Sequence, residues 1–320
     1  MHIIFDMQIM LNRANKLKLR DLRLIKAIAE TGQLALAAER LAMTQPAASR
    51  MVSGIEQSIG APVFERHPKG MTPTAVGKIL ARNAAGLLKG MDQTLADVQS
   101  AITGQSGAVR VGAVTGAAVG FVVPAIQKLK KTASGADIHV DVAPSDVLVE
   151  GLLGGEYDFV LSRIPAGTDP RQFQVRRGRV EVIRFLVRRD HPLAGPGPLK
   201  TADLAGWEWV AQGLRTPLRQ AIEEAFVSRG IPLPDEIVNT SSLLVMFAYL
   251  GSTDAIAPTS REVAELVAPT SGASQLAALD LEDPIIINPY YHLISMKNQS
   301  LSPIAMQLHD LVYAALSGES

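Results

Sequence analysis

Apolar residues in the first third of the chain recur at steps of three and four, the spacing of one face of a helix. Leu22, Ile25 and Ala29 define such a face over residues 19–30, and Gly32 is a residue type that ends helices. A second run of small apolar residues follows over residues 34–42. The pattern therefore predicts two short helices separated by a tight break.

A third helix is predicted from the residues at its ends. Thr44 is a good N-cap, Pro46 falls in the first turn, where its missing N–H is not needed, and Gly60 follows the last apolar position. Residues 34–59 therefore have the paired helices and tight turn of a helix-turn-helix, with alanines where the helices approach closely.

The third helix carries polar side chains on one face. Gln45, Ser49 and Ser53 are spaced four residues apart, and Arg50 lies beside Ser49. Glutamine can bond adenine edges, arginine can pair with guanine or phosphate, and serine can do either. The residues expected to pack inward are Met51, Ile55 and Ile59. A DNA-reading face and an ordinary solvated face both fit this pattern.

Two extended pieces around a basic turn follow over residues 63–72 and predict a β-hairpin. Arg66, His67 and Lys69 lie at its tip, where they can meet phosphates or the minor groove. The alternative interpretation is an ordinary charged hairpin tip.

Residues 74–103 contain no proline and carry a heptad-like apolar stripe. The stripe consists of Leu80, Ala84, Leu87, Met91, Leu95, Val98 and Ile102. A helix of about 28 residues is roughly 42 Å long, and a stripe along it needs a partner, most simply a second copy of the chain. The alternative is that the stripe packs on its own domain. Residues 104–107 (GQSG) have the composition of a hinge.

Beyond residue 108, strand-like and helix-like segments alternate, which is typical of an α/β domain with a mostly parallel sheet. The predicted strands are residues 109–114, 138–142, 159–162, 182–187, 285–287 and 292–295, and the predicted helices are 121–131, 146–153, 218–228, 243–251 and 304–316. The loop after the first strand matches neither a dinucleotide-binding fingerprint nor a P-loop.

Ligands bind such sheets at the carboxyl ends of the strands. The predicted effector-binding residues follow strands or begin helices, and they are Thr115, Gly116, Ser145, Ser162, Arg163, Gln212, Arg215, Thr216, Ser241 and Ser242. Each hydroxyl residue has a helix cap or a turn as its alternative role. Arg163 or Arg215 inside a cleft would favour a carboxylate or phosphate; surface exposure is the alternative for both.

Seven arginines between residues 171 and 189 fit either a second nucleic-acid surface or a strand with a solvated face. Alternating valine and isoleucine, together with Glu181, favour the strand.

The 320 residues include 31 Lys and Arg, 31 Asp and Glu, and no cysteine. The formal charge of zero hides a split, because residues 1–90 carry a net charge of +7 and residues 91–320 a net charge of −7. A basic front and an acidic back indicate two roles on one chain, one of them near phosphate.

The composition also excludes some chemistry. The lack of cysteine excludes disulfides, thiolate metal sites and cysteine nucleophiles, and it fits a reducing cytosol. The six histidines lie far apart, so we predict no metal and no cofactor. No apolar stretch reaches the roughly 20 residues of a membrane helix, and residues 1–11 lack the order of a secretory signal.

Several of these segments resemble the LysR-type transcriptional regulators. The matching motifs are residues 37–41 (AAERL), 44–50 (TQPAASR), 55–56 (IE) and 64–66 (FER) at the front, and 152–158 (LLGGEYD), 190–194 (DHPLA) and Pro258 at the back. The resemblance covers residues 18–318 and is most specific at the front.

The resemblance implies that the residues matching Gln45, Pro46, Ser49, Arg50 and Arg66 approach DNA. The full predicted DNA-binding set is Gln33, Thr44, Gln45, Pro46, Ser49, Arg50, Ser53, Arg66, His67 and Lys69. The sequence departs from the family in three places. Gln33 replaces the usual serine or threonine, the N-terminal extension is longer than usual, and Gly54 inside the third helix costs about 1 kcal/mol relative to alanine.

By the same resemblance we expect an α+β multidomain chain. Its parts are an N-terminal winged helix-turn-helix, a long linker helix and a C-terminal α/β domain of two subdomains like a periplasmic binding protein. The predicted bounds are an extension at 1–17, the DNA-binding domain at 18–73, the linker and dimerisation helix at 74–104, and the effector-binding domain at 108–320, with subdomain I at 108–184 and 285–318 and subdomain II at 187–283.

The predicted function is that of a cytoplasmic transcriptional regulator that binds operator DNA and changes its oligomer geometry when an effector binds. The predicted partners are double-stranded DNA, a small effector such as a sugar or small carboxylate, further copies in a homodimer or homotetramer, and RNA polymerase, but no membrane. The alternative is a small-molecule binding protein whose N-terminal helices serve only dimerisation. An enzyme is not predicted, because the chain shows no nucleophile elbow, metal set or Walker motif.

Overall fold

The computed structural model describes residues 17–103, 107–195, 197–269, 274–288, 290–297 and 299–318. The chain divides into two compact units, Met1–Gln105 with Glu150–Glu156 and Ser106–Val149 with Tyr157–Ser320, called here the front unit and the back unit. Residues 1–16 of the predicted extension and residues 104–106 of the predicted hinge lie outside the described residues.

The front unit opens with three helices, α1 (Leu19–Thr31), α2 (Leu34–Arg40) and α3 (Gln45–Ile59). Thr44 caps α3, because its hydroxyl oxygen accepts a hydrogen bond from the Ala47 amide at 3.4 Å. Gly60 ends α3 in the left-handed conformation at φ 79°, which glycine adopts without strain. The three predicted helices and the caps of the third are therefore confirmed.

A hairpin, called here the wing, follows α3. Its strands β1 (Phe64–His67) and β2 (Gly70–Pro73) pair antiparallel around a turn at residues 68–69. Gly70 has φ 140°, and a Cβ there would lie 2.2 Å from the Gly32 carbonyl oxygen. This close approach requires glycine and sets the wing against the turn between α1 and α2. The predicted hairpin is confirmed.

The long helix α4 (Ala75–Thr103) has 29 residues and packs on α1. Its apolar stripe divides into two parts. Leu80 contacts the front core and Ala84 is buried. The next four residues of the stripe are exposed: Leu87 to 60%, Met91 to 39%, Leu95 to 54% and Val98 to 51%. The side chain of Ile102 lies outside the described part of the chain.

The back unit contains the remaining strands and helices, except that residues 150–153, at the end of one helix, fall in the front unit. The strands are β3 (Ala108–Ala113), β4 (Asp137–Val142), β5 (Phe159–Ser162), β6 (Phe173–Arg177), β7 (Glu181–Arg188), β8 (Trp209–Ala211), β9 (Ile237–Asn239), β10 (Ala257–Ser260), β11 (Leu276–Leu279), β12 (Ile286–Ile287) and β13 (His292–Met296). The helices are α5 (Val123–Thr132), α6 (Ser145–Leu153), α7 (Pro217–Ser228), α8 (Leu243–Leu250), α9 (Arg261–Val267) and α10 (Pro303–Ser317).

One sheet of the back unit has five strands in the order β4-β3-β5-β13-β6. Strand β3 is parallel to β4 and β5, whereas β13 is antiparallel to β5 and β6. Thr115–Ala117 and the π-helical turn Ala118–Val122 lead directly into α5. The core of this part includes Val109, Val111, Phe121, Phe159, Leu308 and Val312.

A second sheet centres on β7, which pairs antiparallel with β10, β11 and β12, while β8 and β9 form a separate parallel pair. Trp209 anchors its core, with ring centroids 5.5 Å from Phe185 and 5.5 Å from Phe226. Edge contacts of this kind suit the aromatic quadrupole. Separate cores under the two sheets agree with the expected two-part back region.

The prediction of a mostly parallel sheet is wrong. Among the described strands of the back unit, five pairs are antiparallel and three are parallel. Alternating strand and helix patterns give the order of the elements but not their direction. The chain leaves the first sheet after β6 and returns through β13, which meets β5 from the opposite direction.

The predicted elements of the back unit are otherwise present, with ends that shift by a few residues. Missing from the sequence prediction are β6, β8, β9, β10, β11 and α9. These segments are too short for a period to be counted reliably. No helix among the described residues has the length and apolarity needed to cross a membrane.

Candidate DNA interface and effector cleft

Helix α3 separates an apolar face from a polar face. Ala48, Val52 and Ile55 are buried in the front core, and the predicted inward residues Met51 and Ile59 pack against its edge. The predicted DNA-facing residues are exposed or half-buried, namely Gln45, Pro46, Ser49, Arg50 and Ser53. The sequence therefore placed the two faces of this helix correctly.

The wing lies beside that polar face. The Arg66 guanidinium donates a hydrogen bond from Nη2 to Ser49 Oγ at 3.3 Å, although the two residues are 17 positions apart. His67 and Lys69 are exposed on the same hairpin. The structure thus joins Arg66 of the wing to the polar face of α3 and leaves the side chains of His67 and Lys69 exposed.

Gln33 and Thr44 occupy helix starts. Gln33 precedes α2 and its exposed side chain makes no capping hydrogen bond. The position that usually carries serine or threonine in the LysR-type pattern is therefore uncapped here. Thr44 is exposed but uses its hydroxyl oxygen for the α3 cap.

One group of predicted effector residues lies at the carboxyl ends of β3 and β5 and at the start of α6. Ser145 Oγ accepts a hydrogen bond from the Arg163 amide at 3.2 Å, and Ser162 Oγ donates to the Ser145 carbonyl at 3.3 Å. Ser162 is fully buried, whereas Thr115 and Ser145 are half-buried. Gly116 is buried beside them in the chain. Thr115 and Ser145 therefore remain the accessible hydroxyls of this group.

Arg163 is not exposed on the surface, which was the alternative considered from sequence. It is buried and donates from Nη2 to Glu181 Oε2 at 2.8 Å, with side chains exposed to only 8 and 10%. Its guanidinium carbon also lies 5.9 Å from the centre of the Tyr291 ring. Because Glu181 neutralises it inside the domain, Arg163 is not a free cation for an anionic ligand.

Two neighbouring polar groups were missed by the sequence prediction. Glu262 Oε2 and the Tyr291 hydroxyl are buried without a hydrogen-bond partner among the described residues. Burial raises the pKa of the Glu262 carboxyl, and the nearby Glu181 charge raises it further. Burial also raises the pKa of the Tyr291 phenol, with Glu262 and Glu181 adding to the effect.

These groups pack against the turn that follows β3. A Cβ at Gly116 would lie 2.6 Å from Ser260 Oγ, and one at Gly120 would lie 2.6 Å from Glu262 Cγ. The close fit explains why residues 116 and 120 are glycines. No local signal marked Glu262 or Tyr291, because the contacts that bury them come from distant parts of the chain.

The second group of predicted effector residues lies at the ends of β8 and β9. The Thr240 amide donates to the Ala211 carbonyl at 2.9 Å, which places Ser241 near Gln212. Gln212 is half-buried, and Arg215 and Ser241 are exposed. Hydrogen bonds join Ser145 to Ser162 and Arg163 in the first group, and the bond between Thr240 and Ala211 joins the two loops of the second group. That the two groups face one ligand remains a prediction.

Two members of the second group act as helix caps. Thr216 Oγ1 accepts from the Arg219 amide at 3.4 Å to cap α7, and Ser242 Oγ accepts from the Val245 amide at 3.4 Å to cap α8. The helix-cap alternative is therefore the one that the structure realises at these positions.

The arginine run has partners within the back unit. Four of the seven pair with acids: Arg171 with Asp169, Arg176 with Asp310, Arg184 with Asp280 and Arg188 with Asp254. The other three meet a ring or a carbonyl: Arg177 lies over Tyr290 at 4.9 Å, Arg179 donates to Leu316 O at 2.6 Å and Arg189 to Ser274 O at 2.9 Å. This engagement favours the strand interpretation over a nucleic-acid surface.

His191 of the 190–194 motif has a structural environment. Its Nδ1 accepts from the Leu193 amide at 3.0 Å, and its Nε2 therefore carries the proton that it donates to the Asp254 carbonyl at 3.1 Å. Burial lowers the pKa of this imidazole. The described residues include no group of three or more His, Cys, Asp or Glu placed to hold a metal ion.

Comparisons with known proteins agree with this arrangement. The family model of the LysR substrate binding domain matches residues 103–317, and that of the bacterial regulatory helix-turn-helix protein, lysR family, matches residues 19–78. The chain is 37% identical over 249 residues to the HTH-type transcriptional regulator GbpR of Rhizobium radiobacter, covering 77% of this chain and 82% of that protein.

Two further similarities extend over more of the chain. The HTH-type transcriptional regulator GbpR of Azospirillum brasilense is 33% identical over 289 residues, which cover 90% of this chain and 83% of that protein. A crystal structure of full-length CbnR complexed with the target DNA has a TM-score of 0.60 at 22% identity, covering 93% of this chain and 100% of that chain. With both family models matched in order along one chain, this protein belongs to the LysR family of DNA-binding, effector-binding transcriptional regulators.

Proposed function

We propose that the chain reads operator DNA with α3 and the wing together. The observation that carries this proposal is the hydrogen bond from Arg66 to Ser49, which joins the wing to α3 beside exposed Gln45 and Arg50. Gln45, Ser49, Arg50 and Ser53 would enter the major groove, and His67 and Lys69 would meet phosphates. The DNA backbone would be approached by the residues at the starts of α2 and α3, namely Gln33, Thr44 and Pro46.

The domain bounds proposed for this function are those expected from the sequence. The extension ends at residue 17, the DNA-binding domain covers 18–73, the linker helix 74–104 and the effector-binding domain 108–320. Within the last, subdomain I covers 108–184 and 285–318, and subdomain II covers 187–283. The separate apolar cores under the two sheets support two subdomains, although Ile183, Ile285 and Ile287 at these bounds pack in the core of the second sheet.

A homodimer, and from it a homotetramer, is proposed through the exposed part of α4. Leu87, Met91, Leu95 and Val98 leave an apolar stripe uncovered, and the residues of such a stripe fit a second copy of the same helix. Two copies would also present two α3 helices to two half-sites. A Leu95→Lys chain is expected to lose the dimer in light scattering, while Lys added at exposed Gln57 should leave it intact.

For the effector, we propose a small, neutral, polyhydroxylated molecule such as a sugar over a small carboxylate. The pairing of buried Arg163 with Glu181 removes one of the two cations considered for an anion, and the other, Arg215, is exposed. The accessible neutral groups are the hydroxyls of Thr115 and Ser145 and the amide of Gln212. A thermal-shift screen should show stabilisation by neutral sugars that Thr115→Val weakens. A response only to carboxylates would reverse the choice.

The effector is proposed to change the spacing of the DNA-reading helices within the oligomer, in the cytoplasm and in contact with RNA polymerase. The alternative of a ligand-binding protein with a purely dimerising front is not favoured, because residues 19–78 match a helix-turn-helix family model. The family consists of transcriptional regulators, which argues against the enzyme hypothesis.

The DNA assignment is tested with Arg50→Ala. Full-length protein should bind DNA from upstream of its own gene with an affinity that falls steeply as salt rises. Arg50→Ala should weaken that binding by about tenfold, the effect of one lost bidentate base contact. Arg23→Ala, which removes the same charge from exposed Arg23 of α1, is the matched control. Equal losses in both variants would contradict a specific role for Arg50.

A further inference from the structure

Glu56 of α3 makes contacts that the DNA-reading assignment does not use. Its Oε1 atom accepts two backbone hydrogen bonds, from the Val63 amide at 2.9 Å and from the Phe64 amide at 3.2 Å. Phe64 is the first residue of β1, and both donors belong to buried residues. One carboxylate oxygen therefore fixes the point where the wing begins.

Glu56 and Ser49 hold the same strand from the same helix. They are seven positions apart, which is about two turns, so both lie on one face of α3. Ser49 contacts Arg66 at 3.3 Å, and Glu56 binds the backbone two residues before Arg66. Strand β1 is thus tied to α3 at two points, one at its start and one at its basic residue.

The carboxylate is the stronger of the two ties. It binds two amides of a buried segment, and hydrogen bonds to a charged acceptor exceed neutral ones. The contact between Arg66 and Ser49 is long and exposed, so it is weak alone. The position of Arg66 beside α3 therefore depends on where Glu56 places the strand.

The opposite side of this segment is held by the start of α4. Thr74 Oγ1 donates to the Pro62 carbonyl at 2.8 Å, and the Thr74 amide donates to the Val63 carbonyl at 3.0 Å. Thr74 thus binds the carbonyl groups of Pro62 and Val63, and Glu56 binds the amide groups of Val63 and Phe64. Of these two residues, Glu56 is the one that belongs to the DNA-reading helix.

We propose that Glu56 is the positioning residue of the DNA interface, an acid that sets the wing arginine Arg66 at its working distance from α3. The proposal rests on the proposed DNA contact of Arg66. A negatively charged side chain would then favour the binding of DNA, which is itself negatively charged. That role makes the proposal testable, because simple electrostatics predicts the opposite effect when the charge is removed.

The experiment measures full-length protein binding to a fluorescent duplex from upstream of its own gene, by anisotropy at several salt concentrations. Glu56→Ala is expected to lower the affinity about tenfold, equivalent to about 1.4 kcal/mol. Glu39→Ala, which removes the same charge from exposed Glu39 of α2, should leave the affinity unchanged or raise it.

A double-mutant cycle with Arg66→Ala separates positioning from general stability. If Glu56 acts through Arg66, Glu56→Ala should cost less than about twofold once Arg66 is alanine. Equal losses with and without Arg66 would show a merely structural role and overturn the proposal, as would unchanged or tighter binding by Glu56→Ala. If Arg66→Ala alone has no effect, the wing contact of the proposed function fails as well.

Glu56→Asp covers the case in which Glu56→Ala does not fold. It keeps the charge but shortens the side chain by one methylene. The carboxylate then cannot reach the Val63 and Phe64 amides unless the wing moves. We expect a folded protein, judged by its circular dichroism, with weaker DNA binding and a smaller salt dependence than the wild type. Wild-type affinity and salt dependence in this variant would overturn the proposal.

Discussion

In the front unit, the side chains assigned to DNA are exposed or half-buried and their helix is capped from a few residues away, whereas the back unit holds one buried ion pair and several exposed pairs between distant residues. Thr44 caps α3 three residues away. Arg163 and Glu181 are 18 residues apart, and Arg188 and Asp254 are 66 apart. The front unit leaves charged side chains exposed, and the back unit pairs charged side chains with one another.

This difference indicates in which unit a change of charge should alter the free energy of unfolding and in which it should alter DNA binding. An exposed pair is screened by water and contributes little, whereas a buried charge without its partner is very costly. Removing an acid from the buried Arg163–Glu181 pair of the back unit should therefore affect stability strongly, and removing one from an exposed pair of the front unit should affect it weakly.

The largest expected effect comes from Glu181→Ala. It removes the carboxylate from buried Arg163, and we expect the back unit to lose about 3–5 kcal/mol of unfolding free energy. Both tryptophans, Trp207 and Trp209, lie in the back unit, so their fluorescence during urea unfolding reports on it alone.

The matched front-unit variant is Glu30→Ala. It breaks the exposed contact of Arg40 with Glu30 at 3.1 Å, and circular dichroism should show a loss of at most about 1 kcal/mol. Similar losses for Glu181→Ala and Glu30→Ala would end the distinction between the units.

Gly77→Ala should be the largest defect of the front unit, and it acts through packing. A Cβ at Gly77 would lie 2.0 Å from the Val63 carbonyl oxygen, where the start of α4 meets the wing. We expect a loss of about 1–3 kcal/mol from this overpacking, seen as earlier loss of helix in thermal melts. A melt like that of the wild type would show that the wing and α4 are not tightly joined.

Glu262→Gln should change how the stability of the back unit depends on pH. The raised pKa of Glu262 means that the folded state holds its proton more tightly than the unfolded state does, so stability falls as pH rises from about 4.5 through the folded pKa. The variant should lack that fall, with a gain of about 1 kcal/mol above the folded pKa.

The control for this prediction lies on the same helix. Glu265 also pairs with Arg261, but its side chain is 71% exposed, against 8% for Glu262. Urea midpoints measured across pH should move for Glu262→Gln and not for Glu265→Gln. Parallel pH profiles in the two variants would mean that burial does not set the titration of Glu262.

The smallest expected effect is a gain in the front unit. Gly54 lies exposed inside α3, and a Cβ there meets nothing within 4 Å. Gly54→Ala should therefore raise the stability of the front unit by about 0.5–1 kcal/mol through backbone entropy. A loss of stability would show that α3 needs a flexible position near its end.

The front unit was largely predictable from the sequence, because its signals act over a few residues. Thr44 and Gly60 mark the ends of α3, and the apolar spacing assigns its buried face. The wing needed only a turn signal at residues 68–69. The role of Glu56 was not predictable, since its partners become neighbours only when the wing folds back on α3.

The back unit was predictable in its elements but not in its pairing. Strand β13 was found, but its antiparallel approach to β5 was not. Arg163 was assigned to a cleft, with surface exposure as the alternative, and its burial against Glu181 was not expected. The reason is that strand direction and burial depend on how remote segments cross, which no local pattern records.

By itself, the sequence determined the helix-turn-helix, its caps, its polar face, the long striped helix and the resemblance to LysR-type regulators, because each depends on local spacing or a short motif. Only the tertiary structure decided which charges are free. It left the basic groups of α3 and the wing exposed and gave partners to the arginines of residues 163–189. Ion pairing requires atoms within about 4 Å, and chain crossings bring distant residues that close.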